Sequence, residues 1–99
     1  MKFKNHIIFV IVLLISSCST SLTKEGEKVR VISESQKGNC EFIKLVTVQV
    51  SLGPDKLGSA LKAALNEAGS VGANSFHIIN NVVHWADGAS VSGEALKCK

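Results

Sequence analysis

The sequence predicts an α+β domain in which one helix packs on one face of an antiparallel sheet of about four strands, in the order β-β-α-β-β. Two observations predict this fold class. Runs rich in β-branched residues lie on both sides of one amphipathic helical stripe, and turn signals divide each of these β-prone regions in two. The chain has 99 residues, enough for one domain.

The first β-prone region predicts two strands. A short run spans residues 28–33, and a turn signal at 36–39 separates it from the strongest strand candidate, residues 40–51. Simple alternation places most even positions of this strand on one face, with Lys44 as the exception. The residues concerned are Cys40, Phe42, Val46, Val48 and Val50. We therefore expect Cys40 to point toward the core.

A helix is predicted after the strand breaker at 52–55, where Asp55 is suited to a helix start. Its apolar residues recur at helical spacing and are Leu57, Ala60, Leu61, Ala64, Leu65 and Ala68. This stripe is typical of a helix that packs on a sheet and takes no part in chemistry. Gly72 is the expected residue just past its C-terminus.

Two further strands are predicted at 74–85 and 89–97, joined by the hairpin signal at 86–88. Cys98 follows the second of these strands and shares a face with Leu96, so we expect it to point inward as well.

The N-terminal segment has the features of an export signal. Lys2 and Lys4 precede an apolar run at 7–15, which is too short for a membrane-spanning helix of about 20 residues but fits a signal peptide. The sequence Ile15-Ser16-Ser17-Cys18 resembles the cleavage motif of bacterial lipoproteins. We therefore expect residues 1–17 to be a lipoprotein signal peptide, residues 18–27 a lipid-anchored tether that begins at Cys18, and residues 28–99 the folded domain.

This organisation predicts a location. Acyl chains such as palmitate on Cys18 would provide about 0.8 kcal/mol of membrane affinity for each buried methylene. Ser19 follows the cysteine, where an Asp would commonly mark retention at the inner membrane. We expect the protein at the periplasmic face of the outer membrane, with the membrane as its partner through the lipid.

Charge argues against nucleic acid as a partner. Residues 1–17 hold two of the eleven Lys and Arg and none of the eight Asp and Glu, which leaves a net charge of +1 on the remainder. Nucleic-acid binding depends on clustered basic residues that release counterions from phosphates, and this chain lacks such a cluster.

Two cysteines remain once Cys18 carries lipid. In an exported chain, Cys40 and Cys98 predict a disulfide. The alternative is a metal site that adds His77 and His84 as ligands, although no CxxC or HxxxH spacing supports it. On an unbroken strand the two histidines project from opposite faces, which disfavours a shared site.

No motif for catalysis is present. The serines do not form a G-x-S-x-G elbow, and Asp55 and Asp87 look like helix-start and turn residues. We expect no enzymatic activity, no cofactor and no bound metal. The first expectation is an interaction domain that contacts an envelope protein or the membrane surface, and the alternative is a small-ligand or metal carrier in the periplasm. Free thiols would favour the carrier.

Four segments resemble a family of small proteobacterial envelope lipoproteins whose domain has no assigned function. They are the run from Leu22 to Val31 after the lipidated cysteine, Cys40-Glu41-Phe42, Ala68 to Asn74 with its Gly72-Ala73-Asn74, and Gly93-Glu94-Ala95-Leu96-Lys97-Cys98. This family looks related to the outer-membrane sensor lipoprotein of the Rcs envelope-stress phosphorelay.

The resemblance implies a disulfide-stabilised periplasmic α/β domain, with Cys18 as the lipid site and Cys40 bonded to Cys98. A role related to envelope stress is an expectation that rests on it. The sensor has additional domain cysteines and a long proline-rich segment after its anchor, whereas this chain has a short tether. We therefore do not expect this chain to thread an outer-membrane partner as the sensor does.

Overall fold

The computed structural model describes residues 20–84, 86 and 88–99. The elements, in chain order, are α1 (Lys24–Glu27), β1 (Arg30–Ile32), a 3-10 helix (Glu34–Asn39), β2 (Cys40–Val50), α2 (Lys56–Ser70), β3 (Ser75–His84) and β4 (Gly88–Cys98). The predicted α+β class, with a four-stranded sheet and one long helix, is confirmed. The expected signal peptide, Cys18, Trp85 and Asp87 lie outside the described residues.

The sheet is mixed, with the strand order β1-β3-β4-β2. β4 is antiparallel to both of its neighbours, but β1 is parallel to β3, with Arg30 opposite Ser75 and Ile32 opposite His77. The prediction of a wholly antiparallel sheet is therefore wrong for this pair. The chain does not turn back on itself after β1. Instead, the 3-10 helix carries it to the far edge of the sheet, where β2 pairs with β4.

Both ends of α2 have capping interactions that the sequence indicated. The Asp55 carboxylate accepts a hydrogen bond from the Gly58 N–H at 3.0 Å. Past the C-terminus, Gly72 has a φ of 87°, and its N–H donates to the Gly69 carbonyl at 3.1 Å. The Ala73 N–H donates to the Ala68 carbonyl at 3.0 Å, which completes a Schellman motif and confirms Gly72 as the terminating residue.

The core lies between α2 and one face of the sheet. The helix contributes the small side chains of Ala60, Ala64 and Ala68, and the sheet contributes Val46, Phe76, Val91 and Ala95. Phe76 is fully buried, and its ring lies over Gly93 of β4. A Cβ atom at Gly93 would collide with this ring and lie 2.5 Å from the His77 carbonyl oxygen. The glycine thus makes room for the largest core side chain.

A β-bulge changes which residues of β2 face the core. The pairing with β4 shifts between Phe42 and Lys44, so that Ile43 is the extra residue. After the bulge, Lys44 lies on the helix face together with Val46, and its Nζ contacts the Glu67 carboxylate of α2 at 2.9 Å. Cys40 and Phe42 lie on the opposite face, and Phe42 is 53% exposed. The expectation that Cys40 and Phe42 share the core face with the later valines is therefore wrong.

The second half of the expected tether is folded onto the domain. α1 packs on α2, and Gly26 is buried. The Thr23 hydroxyl caps α1 by accepting a hydrogen bond from the Gly26 N–H at 2.9 Å. Asn66 of α2 accepts a hydrogen bond from the Thr23 N–H at 2.8 Å and donates one to the Ser21 carbonyl at 2.9 Å. Among the described residues, no helix has the length and apolar character needed to cross a bilayer.

Candidate functional site: the open face of the sheet

The side of the sheet turned away from α2 is called the open face here. Strand register and alternation place fifteen side chains of β2, β3 and β4 on it. They are Cys40, Phe42, Leu45, Thr47 and Gln49 of β2, Ser75, His77, Asn80, Val82 and His84 of β3, and Ser90, Ser92, Glu94, Leu96 and Cys98 of β4. The 3-10 helix reaches one end of this face through Lys37 and Glu34.

A disulfide closes one end of the open face. Cys40 is directly opposite Cys98 in the β2–β4 ladder, their Cα atoms are 4.0 Å apart, and their sulfurs are bonded. The sequence predicted this pair, but with both side chains turned toward the core. The bulge at Ile43 places the bond on the open face, where it fixes the start of β2 and the end of the 3-10 helix to the end of β4.

Asn74 holds the strand end beside the disulfide, a role that the sequence interpretation missed. Its side-chain amide donates to the Cys98 carbonyl at 2.8 Å, and its Oδ1 accepts from the Cys98 N–H at 2.8 Å. These two bonds copy the pairing that a neighbouring strand would provide. The sequence feature that could have indicated this role is an Asn between a helix-terminating glycine and a strand, in the segment Gly72-Ala73-Asn74.

Four ionisable side chains, called the charged cluster here, join the 3-10 helix to the sheet. The His77 Nδ1 lies 3.0 Å from Glu94 Oε1, and its Nε2 lies 3.2 Å from Glu34 Oε2. The Lys37 Nζ lies 2.7 Å from the same Glu94 oxygen and 3.5 Å from Glu34. The His77 and Glu94 side chains are 12% and 19% exposed, whereas that of Glu34 is 76% exposed. The inner pair is thus shielded and the outer carboxylate is solvated.

The contacts of the charged cluster shift two pKa values. The hydrogen bond from Lys37, followed by that from His77, holds the pKa of the Glu94 carboxyl below its ordinary value of 4.5. In return, the hydrogen bond to Glu94 raises the pKa of Lys37 above 10.5. Both shifts favour the ionised forms. Lys37 and Glu94 therefore form an ion pair which, together with the contacts of His77, fastens the 3-10 helix to β3 and β4.

His77 and His84 are on the same face of the sheet, contrary to expectation. A second bulge, between Ile78 and Asn80, adds one residue to β3 and so brings His84 onto the face of His77. His77 pairs with Glu94, and His84 pairs with Gly88. These partners are six residues apart along β4, or about 20 Å at strand rise. Both nitrogens of His77 are already engaged by carboxylates, and both domain cysteines are in the disulfide. Within the described residues, no group of three or more His, Cys, Asp and Glu side chains is arranged to hold a metal.

The remainder of the open face is a mixed apolar and polar surface. Phe42 and Leu45 of β2 are 53% and 60% exposed. Beyond them, the Thr47 and Ser92 hydroxyls are hydrogen-bonded to each other at 3.3 Å across the β2–β4 ladder. Short hydroxyl and amide side chains around two exposed large apolar ones provide the chemistry of non-covalent contact.

Comparisons of the chain with family models, curated proteins and solved structures found no match. The relation to the Rcs sensor lipoprotein stays a prediction from the residues quoted above.

Proposed function

We propose that this chain is a lipid-anchored envelope protein whose periplasmic domain binds a protein partner through the open face and performs no catalysis. The observation that carries the proposal is the disulfide between Cys40 and Cys98. It uses both cysteines of the domain, which leaves Cys18 for lipid. Such bonds persist in oxidising compartments, which an exported protein reaches. The resemblance to the Rcs sensor family supports a role related to envelope stress.

The character of the open face supports a protein as the partner. Phe42 and Leu45 are exposed together on a strand that the disulfide and the sheet hold rigidly. Exposed apolar side chains surrounded by polar ones are typical of interaction sites. A rigid surface also loses little conformational entropy on binding.

Lipidation is tested with Cys18→Ser. We expect the variant to accumulate as an uncleaved precursor that incorporates no labelled palmitate, because the thiol that receives the lipid is gone. The native chain should incorporate the label and fractionate with outer membranes. Palmitate labelling of the variant at the native level would refute the lipid anchor.

Partner binding is tested by placing a photo-crosslinking amino acid at Leu45 in living cells. The matched control carries the same amino acid at Lys62, an exposed position on α2. We expect one discrete adduct from position 45 that is absent at position 62, and Phe42→Asp should remove it. Equal adducts from both positions, or none from position 45, would contradict binding through the open face.

A further inference from the structure

The N-terminal segment leaves the domain on the side opposite the open face. Ala64 is fully buried against the sheet, and Asn66 lies about 200° around α2 from it. The Asn66 side chain donates a hydrogen bond to the Ser21 carbonyl at 2.9 Å and accepts one from the Thr23 N–H at 2.8 Å. The first anchored residue of the chain is therefore on the outer side of α2, away from the sheet.

Close packing of α1 on α2 fixes the point at which the N-terminal segment leaves the domain, which is called the exit point here. Gly26 of α1 is buried against Asn66, and a Cβ atom added to Gly69 would lie 2.5 Å from the carbonyl carbon and oxygen of Glu25. α1 thus touches α2 at two glycines, one on each helix: Gly26 lies against Asn66, and Gly69 lies against the α1 backbone at Glu25. The exit point cannot shift along α2 without breaking these contacts.

We infer that α1 and the outer side of α2 lie against the bilayer surface, with the open face turned toward the periplasm. The inference rests on the proposed lipid at Cys18. Only three residue steps separate Cys18 from Ser21, which allows a reach of about 10–11 Å. A helix with its side chains is about 10–12 Å wide. The tether is too short to pass around α2, so the domain cannot turn its open face to the membrane.

The side chains on this side fit a phospholipid headgroup layer. Lys24 and Lys28 are each two residues from the buried Gly26, which turns both away from α2, and both are exposed. Lys62 is exposed on the outer side of α2, and Leu22 is 37% exposed next to the anchored Ser21. Lysine stems lie along apolar surface while their ammonium groups reach phosphates. Glu25 and Glu27 lie between Lys24 and Lys28 in the sequence and offset their charge, so attachment depends on the lipid, and this surface determines the orientation of the domain.

The test measures the distance of each face from the bilayer. The lipidated protein, with its disulfide intact, carries one fluorophore at Lys62→Cys or at Gln49→Cys, two exposed positions on opposite sides. It is reconstituted in phosphatidylethanolamine–phosphatidylglycerol vesicles that contain a headgroup spin-labelled lipid as quencher. We expect severalfold stronger quenching at position 62 than at position 49.

A longer tether provides the matched control. Insertion of about ten Gly and Ser residues between Ser19 and Thr20 should bring quenching at the two positions to similar levels, because the domain can then turn over. A preference that survives the insertion would overturn the argument from tether length. Equal quenching in vesicle-bound protein without the insertion would overturn the orientation and leave lipidation standing. Protein that fails to float with the vesicles would overturn the lipid anchor, and the orientation with it.

Discussion

At the scale of single residues, the contact between Gly93 and Phe76 shows how one absent side chain shapes the core. The Phe76 ring occupies the space where a Cβ atom at Gly93 would lie, and the His77 carbonyl closes the remaining side. Phe76 is fully buried and has little freedom to move aside. The size of the core is therefore limited at this position by backbone as well as by side chains.

Gly93→Ala should destabilise the domain by about 1–3 kcal/mol, because the added methyl group overpacks the core. Urea unfolding followed by circular dichroism measures the change. Gly38→Ala is the matched control, since a Cβ atom there has nothing within 4 Å and the residue has an ordinary φ. The control should change stability by less than about 0.5 kcal/mol. Equal effects of the two substitutions would contradict the packing argument.

Glu94 makes part of the stability dependent on acid. Its pKa is lowered in the folded state by Lys37 and His77, so its contribution is present above the ordinary value of 4.5 and is lost as pH falls through the lowered pKa. Glu94→Gln resembles the protonated form in shape and charge. The variant should be less stable than the native protein at neutral pH, and the difference should shrink as pH falls below 4.5.

Urea midpoints measured at several pH values from neutral to about pH 3 test this dependence. The matched control is Glu41→Gln, which removes an exposed carboxylate of β2 that lies outside the charged cluster. Its midpoint should differ little from the native one across the range. A Glu94→Gln deficit that stays constant with pH would argue that the side chain acts through packing alone.

At the scale of elements, the docking of α1 on α2 depends on one side chain. Asn66 accepts from the Thr23 N–H and the Thr23 hydroxyl, and donates to the Ser21 carbonyl. Asn66→Ala should release this segment while leaving α2 and the sheet in place. We expect faster hydrogen exchange at the Thr23 and Gly26 amides and unchanged exchange in β4.

Lys62→Ala, one turn earlier on the same exposed side of α2, provides the control for Asn66→Ala and should leave exchange at Thr23 and Gly26 unchanged. Faster exchange throughout β4 in Asn66→Ala would mean that α1 is integral to the global fold, which would contradict a local role.

The elements also show what local sequence patterns can predict. The Ala-rich stripe of α2 and its end at Gly72 depend on contacts within a few residues, and both were predictable. The bulges at Ile43 and Ile79 were not predictable from the sequence. One extra residue moves every later side chain of the strand to the opposite face of the sheet, and β-branched residues fit either face. The parallel pairing of β1 depends on residues about 45 positions away in the chain, beyond the reach of any local signal.

At the scale of the whole molecule, the disulfide is the principal long-range constraint. It closes a loop across a sequence separation of 58 residues, for which chain entropy predicts stabilisation of about 4 kcal/mol, with about 2–4 kcal/mol typical of measured cases. A domain this small has little stability to spare. Reduction, or Cys98→Ala, should therefore unfold the domain or lower its melting temperature sharply.

Alkylation under denaturing, non-reducing conditions should detect no free thiol in the domain. The double variant Cys40→Ala/Cys98→Ala separates loss of the bond from the effect of an unpaired thiol, and should be destabilised to a similar extent as the single variant. Two alkylatable thiols in freshly isolated, folded protein would contradict the disulfide and would favour the alternative of a metal carrier.

The position of the disulfide along the chain has a mechanical consequence. Every residue before Cys40 lies outside the covalent loop, including α1, the three-residue strand β1 and the 3-10 helix. A pull transmitted through the N-terminus would reach these elements first, and they can be drawn out while the loop stays closed. The roughly twenty described residues involved, extended at about 3.5 Å each, would lengthen the tether by several tens of ångströms. The domain thus combines an N-terminal segment that force can extend with a sheet and a long helix that stay within a closed covalent loop.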